Sequence, residues 1–463
     1  MNRAKSTTLK TTELDRGGHM LLEFAVSNYK SFVDEAVLSM EPAPKQKGLS
    51  YSIHTEKIGG KTVKGLSCAV IYGPNASGKT TLIGAMDTLK AIVSRGNICD
   101  APPAANMNRA SSQLSLIPNS ALSQPGPVRF RIKFVESGSV YEYLLEADLG
   151  PFAEDGYERT VLEESLSVNG ALIFCRKPGS IELKIQQIKD KLAAGLEGKV
   201  EAVIDLAANL SSTDLFLTGV FKTFVSPPVA SEVLSWFDRK LLTVYHADRV
   251  RVLYRPAKMA TSTPYIESAV NEAAQAFGIS SNAVGYMIPE GESEPRLFSL
   301  FEEGDARGRM LPAEDYESYG TLRFVDVFPL VAQAIVTGAT LVVDEFDASI
   351  HPMALMSILS VFHNDEINTR GAQLIFDTHN PVFLNGNVLR RDEIKFVERD
   401  AETGNSQHYS LSDFGTSGPG GVRQGKDYMK GYFLDRYGAI SDIDFTPIFE
   451  RIVEAKGDAH NGK

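Results

Sequence analysis

Cys68-Ala69-Val70-Ile71-Tyr72-Gly73-Pro74-Asn75-Ala76-Ser77-Gly78-Lys79-Thr80 decides the fold. Five apolar residues broken at Gly-Pro have the length and texture of a strand buried on both faces. The next eight form a complete G-x-x-x-x-G-K-[ST] element, and residues 78–93 continue as a helix. In that strand–loop–helix setting, loop amides and the helix N-terminus bind anionic oxygens. Gly73, Asn75, Ala76, Ser77, Gly78, Lys79, Thr80 and Thr81 are therefore the candidate phosphate-binding residues. Lys79 is expected to reach the β- and γ-phosphates of ATP, and the Thr80 hydroxyl to bind Mg2+.

Three further elements share that chemistry. Leu341-Val342-Val343-Asp344-Glu345 is an apolar strand ending in two carboxylates. Asp344 is the expected second holder of the metal, and Glu345 the expected base or orienter of an attacking water. Gln373–Phe376 is another buried strand, running into Asp377-Thr378-His379-Asn380, with a helix (352–363) between it and the Asp-Glu strand. On the neighbouring strand, His379 is placed to contact the γ-phosphate and the water. Upstream, Glu317-Ser318-Tyr319-Gly320-Thr321 opens the helix 321–337. Ser and Gly at a helix N-terminus form an anion-binding end without a lysine, or a plain helix cap. Its place before Asp344 favours a signature element in which Ser318 and Gly320 close over a second subunit's ATP, with Asp347 and Ser349 at the same interface.

The remaining composition is that of an ordinary globular chain. It has 463 residues, 43% hydrophobic, with a formal charge of −11 and mean hydropathy near zero. Apolar residues are too plentiful for general disorder. No run of about 18 uncharged apolar residues suggests a membrane span. The acidic balance argues against wholesale coating of nucleic acid. Cys68, Cys99 and Cys175 stand alone, without CxxC or metal spacing. That spacing excludes a disulfide scaffold and a structural zinc site, and a reducing cytoplasm is the expected compartment.

Residues 1–19 are polar and are expected to be a disordered leader or tag. Residues 20–178 form an N-terminal lobe with the phosphate loop and antiparallel hairpins. One is Arg129–Phe134 with Val140–Glu146, and another is joined at Asn169-Gly170. Residues 97–127 are expected to be a loop. Residues 179–305 are expected to be a mainly helical insertion, without the heptads of long coiled-coil arms. Residues 306–400 form the C-terminal lobe, and 401–463 a tail or partner segment. Alternating strands and helices imply an α/β fold with a parallel sheet covered on both faces. Arg249, Arg251, Arg255 and Lys258, interleaved with Tyr245 and Tyr254, read equally as a nucleic-acid contact or an ordinary solvated face.

The four site elements, in this order, resemble the ABC/SMC/RecF class of ATPases. "LLEFAVSNYKSF" (21–32), "YGPNASGKTTLI", "ESYGTLRF", "LVVDEFDASIHP", "AQLIFDTHNPVFL" and "DYMKGYFLDRYGAI" (427–440) are similar to an abortive-infection and anti-phage group. That group includes RloA-like proteins and AriA of the PARIS system. The resemblance implies an ABC-type ATPase head with an antiparallel β-subdomain. It also implies ATP-dependent dimers or higher assemblies acting as sensor or scaffold. Their partner would be a separate effector encoded nearby, such as a nuclease or toxin, with a phage protein or DNA as trigger and no membrane. Lys30 is expected near the nucleotide, as basic residues at this turn are in related heads. Ser318-Tyr319-Gly320-Thr321 departs from the LSGGQ of transporters, which weakens a transport role. Asp442-Ile443-Asp444 lacks room for the nuclease domain of OLD-type relatives. A RecF/SMC-like DNA-maintenance ATPase is the alternative.

Overall fold

The computed structural model describes residues 18–44, 46, 48–100, 118–119, 122, 126–151, 156–245, 265–292, 295–303, 306–416, 421–423, 425–440 and 444–452. The leader 1–17, most of the 97–127 loop, the basic cluster 249–258 and Asp442-Ile443 lie outside them.

Among the described residues, eighteen strands make four sheets. The N-terminal strands are β1 (Met20–Ser27), β2 (Ala36–Ser39), β3 (Ile53–Ile58), β4 (Lys61–Leu66) and β5 (Cys68–Tyr72). β6 (Val128–Glu136), β7 (Ser139–Asp148), β8 (Thr160–Val168), β9 (Ala171–Lys177) and β10 (Ser180–Leu183) follow. Next come β11 (Leu241–Val244), β12 (Ala283–Met287), β13 (Arg296–Glu303) and β14 (Ala306–Pro312). The last four are β15 (Thr340–Val343), β16 (Gln373–Asp377), β17 (Ile394–Arg399) and β18 (Ser406–Ser410). The longer helices are α1 (Lys79–Arg95), α2 (Val200–Ala208), α3 (Pro227–Ser235), α4 (Ser268–Phe277), α5 (Tyr319–Thr337) and α6 (Pro352–Phe362).

The central sheet has the order β11-β15-β16-β5-β17-β18. All its pairings are parallel except β17 with β18. β5 is fully buried, and its alternation explains why the sequence shows an unbroken apolar run. Ala69 and Ile71 enter one core with β1, β6 and α1, whereas Cys68, Val70 and Tyr72 enter another with α5 and α6. β15 and β16 divide the same way, Val342 and Ile375 facing the first core and Leu341 and Leu374 the second. The first core is closed by a seven-stranded antiparallel sheet, β10-β9-β8-β7-β6-β1-β2. Its tight hairpin at Asn169-Gly170 has positive φ at both residues, 53° and 83°, as a two-residue turn between twisted strands requires. This is an α/β fold, a mixed central sheet beside an antiparallel β-subdomain.

The described part of 179–305 holds more helix than strand, with strands that the mainly helical reading did not include. Helical segments occupy Leu217–Val225, α3 and Trp236–Lys240, but β11 then forms the edge of the central sheet. β12 and β13 pair with β14 in a separate three-stranded sheet. Leu241-Leu242-Thr243-Val244 is too short for periodicity to tell strand from helix, so partnership with β15 decides it. His19, assigned to the leader, is buried and joined to Glu136 at 2.7 Å. Among the described residues, α5 alone is long and apolar enough for a membrane span. Its Phe324, Val327, Val331 and Ala334 pack in the second core instead.

A phosphate loop beside two carboxylate-bearing strand ends

The C-terminal ends of β5, β15 and β16 lie side by side, and the loops leaving them meet. β5 leads through Gly73–Gly78 into α1, whose N-cap is Gly78 at φ 115°, with no side chain capping the first amides. Those amides are thus left to a ligand, which is what an anion-binding helix end needs. A Cβ on Gly78 would meet Ser406 Oγ at 2.8 Å and Ser31 Oγ at 3.1 Å, so a side chain fits there neither by space nor by backbone. Asn75 and Ala76 are exposed on the loop, Ser77 is buried, and Thr80 and Thr81 are half-buried at the start of α1.

Lys79 is folded onto its own loop. Its Nζ donates to the carbonyls of Gly73 (2.9 Å) and Pro74 (3.0 Å), and the residue is 5% exposed. Burial pushes its pKa down, while Asp377, Asp344, Glu345 and Asp347 pull it back up. Four carboxylates from two loops therefore converge on one lysine.

Asp344 follows β15 and is fully buried, its amide bonded to the Val244 carbonyl. Glu345 is exposed and takes a left-handed backbone at φ 51°, a strained conformation for this residue. Its amide donates to Asp377 Oδ1 at 2.6 Å. Asp377 is buried, and desolvation with the charge of Asp344 raises its pKa to about 8. Thr378 Oγ1 donates to Asp347 at 2.6 Å and accepts from the Asn380 amide at 2.9 Å. His379 is exposed beside them. Burial of part of its ring and the Lys79 charge lower its pKa, against Asp347 and Glu345, which favours the neutral imidazole.

A serine on β18 holds the loop from outside. Ser406, on β18, donates through Oγ to the Ser77 carbonyl at 2.5 Å, and its amide donates to the Ser31 carbonyl at 2.7 Å. Lys30, also left-handed at φ 49°, places Nζ 3.4 Å from Tyr245 Oη and 5.8 Å from the ring centroids of Tyr29 and Tyr245. Burial lowers its pKa and the charge of Asp344 opposes that, so Lys30 lies on the Asp344 side of the site.

The sequence-derived set is thus brought together at Lys79, Asp344, Glu345, Asp347 and His379. Ser318 and Gly320 sit elsewhere, on the end of α5. Ser318 is exposed and caps α5, accepting from the Thr321 amide at 3.1 Å. Gly320 abuts the loop after β15: a Cβ there would meet the Ser349 carbonyl oxygen at 2.3 Å. Glu317 anchors this end, accepting from Ser281 Oγ (2.6 Å), Ser299 Oγ (2.9 Å) and the Ser280 amide (3.1 Å). Asp377, Ser31, Ser406 and Tyr245 were not assigned to the nucleotide site from sequence. Asp377 alone carried a usable signal, as a carboxylate at the end of a buried strand.

Chemically, the amides of α1 and Lys79 suit a polyphosphate. Thr80 and Asp344 are the residues that could hold a divalent cation between them. A hydroxyl and a buried carboxylate are the hard oxygen donors such an ion takes.

A family model described as "AAA domain, putative AbiEii toxin, Type IV TA system" matches residues 68–385. A search of curated proteins finds no match. Among solved structures, an Smc head bound to the C-terminal winged-helix domain of ScpA aligns at 15% identity and TM-score 0.36, covering 84% of this chain and 97% of that one. An Smc head with an extended coiled coil, bound to the C-terminal domain of ScpA from Pyrococcus furiosus, aligns at 12% identity and TM-score 0.35, covering 85% and 96%. The family model spans well over half of the chain, from β5 through the loop after β16, and this protein belongs to that AAA-domain family.

Proposed function

We propose that the protein is an ATP-hydrolysing ABC-type ATPase that assembles around ATP, as a dimer or higher oligomer, and controls a separate effector in anti-phage defence. The observation that carries the reading is the phosphate loop after β5, with Lys79 folded onto it, beside the parallel strand ends that carry Asp344 and Asp377. Lys79 and the loop amides bind the β- and γ-phosphates, with Gly73, Asn75, Ala76, Ser77, Gly78 and Thr81 shaping the cradle. Thr80 and Asp344 hold Mg2+, which neutralises charge building up on the phosphates. Glu345 takes a proton from the attacking water, and neutral His379 orients that water against the γ-phosphate. The strained backbone of Glu345, held by the bond to Asp377, aims the carboxylate away from the strand.

Ser318 and Gly320 present a capped helix end, exposed at Ser318, to the nucleotide of a neighbouring subunit. Gly320 abuts Ser349, in the same loop as Asp347. The family's description, which names a type IV toxin–antitoxin system, supports a protein partner. The test is phage plaquing on cells carrying this gene, its neighbour, or both. Protection by the pair that vanishes with Lys79→Ala and with Glu345→Gln is expected. Protection by this gene alone, or protection surviving both substitutions, would overturn the sensor–effector role.

A further inference from the structure

The end of β5 remote from the phosphate loop gathers a second set of ligand-type side chains. Cys68 opens β5 and is fully buried, Glu393 precedes β17 and is fully buried, and His363 caps the C-terminus of α6 at 7% exposure. One donor atom from each lies within 4.8 Å of the other two, and His363 Nε2 is 3.0 Å from Glu393 Oε1. We infer that Cys68, His363 and Glu393 form a binding site for one Zn2+ ion, separate from the nucleotide site.

The donor set is the first argument. Thiolate sulfur with imidazole nitrogen selects zinc over magnesium or calcium, which take oxygen alone. The spacing is the second. Zinc bonds of about 2.0–2.3 Å put tetrahedral ligand atoms roughly 3.3–3.7 Å apart. The cluster reaches that geometry through shifts of about an ångström or less. Charge is the third. A thiolate and a carboxylate with Zn2+ sum to zero, where an unbalanced buried charge is costly. Nearby Arg390 is already engaged by Asp392, through bonds of 2.9 and 2.8 Å. Glu393 is oriented from behind by the Arg390 amide, which donates to Oε2 at 2.8 Å, the support that metal-binding carboxylates use. Finally, His363 lies in the wall of a cavity of about 610 Å3 that also touches Tyr51, Ser360 and Asn364.

The exclusion of structural zinc rests on cysteine spacing alone, which does not address a mixed set of this kind. The ligands are 295 and 30 residues apart in the chain and come together only because β17 pairs with β5 and α6 ends above them. Five residues of β5 separate Cys68 from Gly73, about 16 Å at strand rise. The ion would bolt α6 and β17 to the strand that carries the phosphate loop.

The test uses the full chain, stripped with chelator and free of nucleotide, titrated with Zn2+ and with Co2+. One zinc per chain by mass spectrometry, and a thiolate-to-cobalt charge-transfer band with tetrahedral visible bands, are expected. Cys68→Ala and Glu393→Gln should each weaken zinc binding at least tenfold and abolish or shift the cobalt spectrum. Both should keep the parent's circular-dichroism spectrum, which serves as the check on folding. Absence of the cobalt band in the unsubstituted protein, or equal zinc binding by both variants, overturns the site. Because no nucleotide is present, the outcome does not depend on the ATPase reading.

Discussion

The backbone amide of Glu345 donates a 2.6 Å hydrogen bond to Asp377 Oδ1, tying the loop after β15 to the end of β16. Asp377 is buried, and desolvation with neighbouring Asp344 holds its pKa at about 8, well above the ordinary aspartate value. The native state therefore keeps a proton that the unfolded chain releases near the ordinary aspartate value of 3.8. Between those values the unfolded state binds fewer protons, so stability falls as pH rises from about 4 to about 8 through this group. Asp377→Asn removes the contribution. Denaturant midpoints of the magnesium-free protein should decline less steeply with pH in the variant than in the parent, over that window. Parallel slopes would show that the carboxyl titrates normally.

Lys79 already makes two hydrogen bonds to loop carbonyls, and a triphosphate offers it charged partners instead. Hydrogen bonds to charged groups are worth about 1.5–3 kcal/mol, so Lys79→Ala should weaken ATP binding roughly 10- to 100-fold. Calorimetric titration of both proteins gives the ratio, and equal affinities would remove the phosphate-loop assignment.

Ser318 serves two ends that substitution can separate. Ser318→Ala loses the cap of α5 and should cost about 1 kcal/mol of stability. Ser318→Arg places a long cation where the second subunit's nucleotide is to lie. ATP-dependent self-association, followed by light scattering, should survive the first change and fail with the second. ATP binding to the isolated subunit should persist in both. Association by the arginine variant at the parent's level contradicts closure over a neighbouring ATP.

Gly320 gives a sharper version of the same experiment. A methyl group there meets the Ser349 carbonyl at 2.3 Å, so Gly320→Ala must move the end of α5 or the loop after β15. A stability loss of about 1–3 kcal/mol, as overpacking brings, should accompany impaired assembly. A variant as stable as the parent would show that the contact yields without strain.

What sequence could show follows from range. β5, the phosphate loop and α1 are consecutive, so their chemistry and their order appear in one short window. The same holds for Asp344-Glu345 after β15 and for the turn at Asn169-Gly170. β11 was hidden because four residues carry no resolvable period, and its strand form comes from pairing with β15. The clasp on Ser77 was hidden for another reason. Ser31 and Ser406 are 375 residues apart, and a serine in a strand gives no hint of its partner. Cys68, His363 and Glu393 repeat that lesson on the far end of the sheet. Ser318 stayed double in meaning because a helix cap and an anion-binding end require the same residue.

The central claim is that Glu345 drives hydrolysis at a site built to hold ATP. Glu345→Gln keeps the side chain's size but cannot accept the proton, and general-base loss costs about 10²–10⁴-fold. Single-turnover hydrolysis of radiolabelled ATP by the parent and the variant, with bound nucleotide recovered by filtration, measures both properties at once. The account predicts ATP retained intact on the variant, with hydrolysis slowed at least about 100-fold. Hydrolysis by the variant at the parent's rate, or loss of ATP binding by it, would contradict the account.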